Sequence, residues 1–291
     1  MEATKYPTVV NWNFTYWCNM NCRHCYSRKE AGKELSVSEY QNIARQIVEA
    51  KVLHVNFGGG ESLGRLDLYQ VAQYLLANDI GVSLSTNGWL VDIAVAKKLK
   101  EIGLRTATVS LNGGSSEAHD NFCRQQGAFN RILQAVKNLK EEKIYVRIAT
   151  SVSKQSINEV EKIAMIATAL KADELVFQSI KLSDQNVPVN EWAEAHQRMS
   201  EVKFANQTSS LKVTLDYLND VKIAGILNKP IDGCPCGKLS CSIKPNGDVT
   251  PCVYVNKPIG NLMQTSLLEI WESAELLKTI RSRNLNACCD L

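Results

Sequence analysis

Tyr16-Trp17-Cys18-Asn19-Met20-Asn21-Cys22-Arg23-His24-Cys25-Tyr26 places cysteines in the spacing Cys-x3-Cys-x2-Cys just after a short apolar run. Three thiolates on one short loop suit soft iron–sulfur chemistry and can take three corners of a cuboidal [4Fe–4S] cluster. A closed structural site has four protein ligands. This loop supplies three, which leaves one iron open to a ligand that is not protein. Two plainer readings fit the same spacing. One is three ligands of a zinc site, with His24 or a distant residue as the fourth; the other is a buried set of reduced thiols, since free cysteine is a common core residue.

The rest of the chain bounds the answer. Its 291 residues, 45% apolar and 22% charged, fit a soluble globular protein with one large barrel-like domain and at most a small appendage. A net charge of +3 is too mild for a nucleic-acid partner. No apolar run reaches the length of a membrane span, and Met1 to Pro7 lacks the order of a signal peptide. Ten cysteines without a secretory signal indicate metal or redox chemistry in a reducing compartment, so a cytoplasmic protein is expected.

Strands and amphipathic helices alternate from the cysteine loop onward. Val9 to Phe14 reads as the first strand and delivers the loop at its end. Ser36-x2-Glu39 is a capping box, with Tyr40, Ile43, Ala44, Ile47 and Val48 on one helical face. Further strands are expected at Leu53–Phe57, Val82–Ser85, Thr106–Leu111, Val146–Val152 and Leu175–Phe177, each followed by a helix. Six such units imply parallel pairing with right-handed crossovers, too few to close an eight-stranded barrel. The fold expected is α/β, a partial (β/α)6 TIM-type barrel with its chemistry at the C-terminal ends of the strands. After about Ala205 the rhythm changes, and Ile243 to Val249 reads as a hairpin turning at Pro245-Asn246-Gly247.

Gly58-Gly59-Gly60-Glu61-Ser62 follows the second strand, where glycine permits positive φ and close backbone approach to a ligand. With this run one β–α unit beyond the cysteine loop, the sequence resembles the radical S-adenosylmethionine (radical SAM) superfamily. By that resemblance the open iron would chelate the amino and carboxylate groups of S-adenosylmethionine. An electron from the cluster would split the sulfonium, and the 5′-deoxyadenosyl radical would abstract a substrate hydrogen. The resemblance assigns Cys18, Cys22 and Cys25 to the cluster and Gly59, Gly60 and Glu61 to the methionine amino group. Ser85, Asn87 and Ser110 would bind the ribose and carboxylate, and Tyr26 would lie beside the adenine. As turn formers, Asn87-Gly88 and Asn112-Gly113 have a simpler explanation too. Asn112 stands where the family usually has Asp, and Cys123 where an Arg is common.

Cys234, Gly247 and Cys252 form Cys-x12-Gly-x4-Cys, followed by Gly260-Asn261-Leu262 and Leu268-Glu269-Ile270-Trp271. This is similar to the twitch/SPASM extension of radical SAM enzymes, a small β-hairpin/helix segment. It implies an auxiliary [4Fe–4S] cluster on Cys234, Cys252, Cys288 and Cys289, with Cys236 or Cys241 as substitutes; zinc is the plainer reading of the same spacing. The division expected is a core over residues 1–205 and a connector with the extension over 206–291.

Such enzymes modify ribosomally made peptides, or oxidise and epimerise small carbohydrate-like metabolites. Peptide modification is the first expectation and the small-molecule reaction the alternative. An electron donor such as flavodoxin or ferredoxin is implied. With 17 residues before Cys18, recognition of a leader peptide is expected to fall to a separate binding protein. Cys123, read as lying in the loop after the fourth strand, is the candidate second hydrogen donor of an epimerase.

Overall fold

A computed structural model describes residues 2–22, 25–27, 31–153, 156–180, 191–216 and 234–282. In chain order the elements are β1 (Val9–Thr15), α1 (Val37–Glu49), β2 (His54–Gly59), α2 (Leu68–Ala77), β3 (Gly81–Thr86), α3 (Ile93–Glu101) and β4 (Thr106–Ser110). Then come α4 (Ser116–Cys123), α5 (Ala128–Glu141), β5 (Tyr145–Val152), α6 (Val160–Ala169), β6 (Glu174–Ser179), α7 (Trp192–Ala205) and β7 (Lys212–Leu215). The tail adds β8 (Ser240–Ile243), β9 (Asp248–Thr250), β10 (Gly260–Asn261), α8 (Leu267–Ser273) and α9 (Glu275–Ser282). The six expected strand–helix repeats are all present.

Two compact units divide the chain, Met1–Cys18 with Tyr26–Leu84 and Asp232–Leu291, and Asn19–Cys25 with Ser85–Ile231. In the first, the strand order is β10-β9-β8-β1-β2-β3. β1 pairs in parallel with β2 on one side and with β8 on the other, Val9 to Trp12 opposite Ser240 to Ile243. The β8–β9 hairpin is antiparallel and turns at Gly247, whose φ of +85° suits glycine. Alternation along β1 explains its two faces. Trp12 and Phe14 are fully buried and pack against Phe57 and Tyr40, while Asn13 faces the other way and accepts from the Tyr26 hydroxyl at 3.1 Å. The capping box at Ser36 and Glu39 closes both of its hydrogen bonds and starts α1.

Tail segments are bound into this unit by directed hydrogen bonds. The Tyr40 hydroxyl reaches the carbonyls of Phe14 and Pro245. Gln46 donates to Leu262 O and accepts from Leu267 N–H, and Trp271 Nε1 donates to Thr4 O.

In the second unit β4, β5, β6 and β7 form a parallel run. Amphipathic α5 buries Ile132, Ala135, Val136 and Leu139. One expectation is corrected here: Cys123 does not lie in a loop but ends α4, with Arg124 at φ +53° just beyond it. Glycines before Ser115 suggest a turn, yet the Ser115 hydroxyl accepts from Ala118 N–H and nucleates the helix. Asp120 then receives the N–H groups of Gly127 and Phe129 and fixes the α4–α5 corner.

Candidate active site

In the first unit, the end of β2 is sewn to the backbone that leads into Cys18. Gly60 N–H donates to Thr15 O at 2.8 Å and Glu61 N–H to Trp17 O at 2.7 Å. This approach requires glycine. Gly59 has φ +111°, and a Cβ there would lie 2.9 Å from Thr15 O. A Cβ on Gly60 would overlap the Trp17 carbonyl, and one on Gly64 the Trp17 ring. Glu61 is fully buried and begins the short helical turn Ser62–Gly64, with Leu63 N–H at 3.4 Å from its Oε1.

Sequence reading missed the residues that hold the other side of this backbone. Glu34 Oε1 accepts from the Thr15 hydroxyl and from Tyr16 N–H, both at 2.7 Å. Its second oxygen pairs with Arg65 at 2.8 Å, and Arg65 in turn grips Asp67 with two nitrogens. The guanidinium lies over the Tyr40 ring, 4.4 Å from its centroid. Burial raises the Glu34 pKa, but hydrogen bonds from Thr15, Arg65 and Tyr16 outweigh it and hold the carboxyl below its ordinary range. A Glu at such a distance from a Cys loop has no sequence signature.

In the second unit, Asn19 and Asn21 of the cysteine loop are held from two directions. Asn21 N–H donates to Cys123 O at 3.2 Å, and Asn87 Nδ2 to Asn19 Oδ1 at 2.8 Å. Asn87 Oδ1 accepts from Trp89 N–H. Ser85 and Ser110 are half-buried, near the end of β3 and at the end of β4. Asn112, where the family usually has Asp, is a structural amide: its Oδ1 takes Ser151 N–H and its backbone N–H donates to His119 Nδ1. That bond makes Nδ1 the acceptor and leaves the proton on Nε2, 3.3 Å from Cys123 Sγ. Burial lowers the His119 pKa to about 4, against the opposing pull of Asp120.

In the tail, Cys234 and Cys236 are half-buried and Cys252 buried. Cys241 sits fully buried in β8, where burial pushes its thiol up to about 12. Cys288 and Cys289 lie outside the described residues, as do Arg23 and His24. Tyr26 meets Tyr254 edge-on at 5.4 Å, beside Cys25 and close behind Cys252. Among the described residues no three His, Cys, Asp or Glu side chains gather around one ion. In a cubane each thiolate takes a separate iron, so convergence on one point is not what a cluster asks.

The geometry sets a cysteine loop at the end of a parallel strand, with a glycine cradle at the end of its neighbour. The sequence matches the radical SAM superfamily profile over residues 12–167 and the SPASM iron–sulfur cluster-binding domain over residues 234–290. The chain belongs to the radical SAM superfamily and carries a C-terminal SPASM-like segment. It is 29% identical to an AdoMet-dependent heme synthase of Methanosarcina barkeri, over 97% of this chain and 86% of that one. It is 27% identical to mycofactocin maturase MftC of Mycolicibacterium smegmatis, over 97% and 74%. The crystal structure of Streptococcus suis SuiB bound to precursor peptide SuiA superposes with a TM-score of 0.80 at 18% identity, covering 96% of this chain and 68% of that one. The fold is the partial (β/α)6 barrel with a small hairpin/helix extension, and the protein is an enzyme.

The family's cofactors are a [4Fe–4S] cluster that binds S-adenosylmethionine, S-adenosylmethionine itself, and auxiliary iron–sulfur in the SPASM segment. The residues present fit them. The loop's three cysteines offer only soft sulfur; the glycine cradle brings the backbone of β2 against the cysteine loop's base; and Asn19 Nδ2, next in sequence to Cys18, is a buried donor with no acceptor among the described residues. When bound, the cluster supplies the electron that cleaves the cofactor to a hydrogen-abstracting radical. Among the described residues no helix is long and apolar enough to cross a membrane.

Proposed function

We propose that this enzyme modifies a ribosomally made peptide, by oxidation, cross-linking or epimerisation. The observation that carries the reading is the tail, whose first strand β8 lies in register beside β1, the strand that feeds the cysteine loop. A chain with both segments is similar to the maturase MftC over most of its length, and to SuiB, solved with a precursor peptide. In this reading Cys18, Cys22 and Cys25 hold the cofactor-binding cluster, and Gly59, Gly60 and Glu61 the methionine amino group. Ser85, Asn87 and Ser110 face the ribose and carboxylate, with Tyr26 at the adenine. Cys234, Cys252, Cys288 and Cys289 hold the auxiliary cluster, with Cys236 or Cys241 as the substitute. The catalytic core spans 1–205 and the connector and extension 206–291. A flavodoxin or ferredoxin supplies electrons, and a separate leader-binding protein presents the peptide.

The similarity to a heme synthase favours a second reading, an iron porphyrin substrate. The experiment gives the anaerobically reconstituted, reduced enzyme short peptides encoded beside its gene, an iron porphyrin, and amino sugars. Peptide that loses two hydrogens, or gains solvent deuterium, in step with 5′-deoxyadenosine is the expected result. The Cys18/Cys22/Cys25→Ala triple variant should form no 5′-deoxyadenosine. Untouched peptide with conversion of the porphyrin or the sugar overturns the peptide reading. If the product is an epimer, Cys123 is the hydrogen donor. Cys123→Ala then continues to form 5′-deoxyadenosine without placing solvent deuterium in the product.

A further inference from the structure

Two asparagines of the second unit form a chain with a fixed direction. The backbone N–H of Trp89 can only donate, so the Asn87 oxygen it meets at 2.9 Å is Oδ1. The Asn87 amide nitrogen therefore points the other way, to Asn19 at 2.8 Å, and the atom it meets there is an oxygen. Asn19 is left presenting its own –NH2 group. That nitrogen is removed from solvent and has no acceptor among the described residues. An orphaned buried donor costs about 1–3 kcal/mol, so a retained one implies a partner. Its place in the chain identifies the partner's chemistry, because Asn19 follows Cys18 directly and precedes Cys22 in the cysteine loop.

We infer that Asn19 Nδ2 donates a hydrogen bond to the sulfur shell of the iron–sulfur cluster carried by this loop, and that Asn87 is the positioning residue that aims it. Electron-rich thiolate or sulfide sulfur is the acceptor such a loop offers. N–H donors to cluster sulfur stabilise the more negative, reduced state and so raise the reduction potential. The relay sets how readily the cluster gives up the electron that cleaves the cofactor, without either asparagine touching substrate.

The test is the midpoint potential of the reconstituted full-length protein, measured by EPR-monitored redox titration without S-adenosylmethionine, with iron content determined on the same samples. The variants are Asn19→Ala, Asn87→Ala and the double. Asn19→Ala should shift the potential to more negative values and Asn87→Ala should shift it the same way by less. The double should equal Asn19→Ala alone, because both act through one donor. If Asn19→Ala fails to retain iron, Asn19→Ser keeps a shorter donor and should give an intermediate potential. An unchanged potential in Asn19→Ala or Asn19→Ser overturns the inference. So does an unchanged potential accompanied by weakened S-adenosylmethionine binding, which would assign the donor to the cofactor's carboxylate.

Discussion

Glu34 and Arg65 meet at 2.8 Å, and the same Glu34 carboxylate receives the Thr15 hydroxyl and the Tyr16 N–H on its other oxygen. An ion pair thus holds the backbone two and three residues ahead of Cys18. Glu34→Ala removes the acceptor of the Thr15 hydroxyl and the Tyr16 N–H and leaves Arg65 paired with Asp67 alone. Discounted for partial exposure of the pair, the expected loss is about 1–2 kcal/mol in urea denaturation. The folded-state pKa of Glu34 is depressed, so its contribution is complete above the ordinary carboxylate value. It is lost as pH falls through the lower folded value. The wild type should therefore lose more stability than Glu34→Gln on acidification below about 4.5.

Gly60→Ala tests the cradle. Its Cβ would overlap the Trp17 carbonyl oxygen, a backbone atom that cannot rotate away. Overpacking of this kind costs about 1–3 kcal/mol or more, and relief requires moving the loop's base. Expected are a lower melting temperature and reduced iron in the first cluster. Gly127→Ala is the control for backbone strain without overlap: its φ is +81°, and nothing lies within 4 Å of the added methyl. Full iron loading and unchanged melting of Gly60→Ala would count against the cradle.

Glu61→Gln keeps the shape of a fully buried side chain and removes its charge. If the carboxylate faces the cofactor's ammonium, a charge-assisted hydrogen bond is lost. Affinity for S-adenosylmethionine should fall about tenfold or more, by about 1.5–3 kcal/mol. Isothermal titration of the iron-loaded protein checks this. Unchanged binding would remove Glu61 from the cofactor's contacts.

His119 carries a pH signature. Burial lowers its pKa from 6.5 to about 4, so the folded protein favours the neutral ring. The associated stability is complete above about 6.5 and declines as pH falls from there towards 4, where the unfolded chain takes up the proton first. His119→Asn keeps an acceptor for Asn112 N–H and removes the titration. Denaturation midpoints of the variant, followed between these pH values, should fall less steeply than those of the wild type.

Much of this was legible because the decisive signals are local. The Cys-x3-Cys-x2-Cys spacing, the glycine run and the Ser36–Glu39 box each lie within one turn or loop, where spacing alone fixes geometry. Glu34, by contrast, acts on Thr15 and Arg65 across gaps that no short pattern spans. The partnership of Asn87 with Asn19 joins positions 68 apart. Helix α4 was hidden by its shortness and by Gly113-Gly114, which read as a turn although Ser115 caps a helix. The hairpin was legible from Pro-Asn-Gly, but its docking on β1 was not, since strand pairing is a tertiary outcome.

That docking orders the birth of the protein. On a ribosome, β1 and its cysteine loop emerge early, and β2 follows to cover one flank. The other flank waits for Ser240 to Ile243, with residues 13 to 239 between the two paired segments. Until then the nascent strand keeps a bare row of amide and carbonyl groups, the kind of edge that pairs with strangers. Such distant closure is intrinsically slow. Iron taken up before release would meet a loop whose supporting strand is open on one side. Overproduced chains are most exposed to mispairing in that interval, so slow synthesis with iron supplied after translation is the regime that this topology favours.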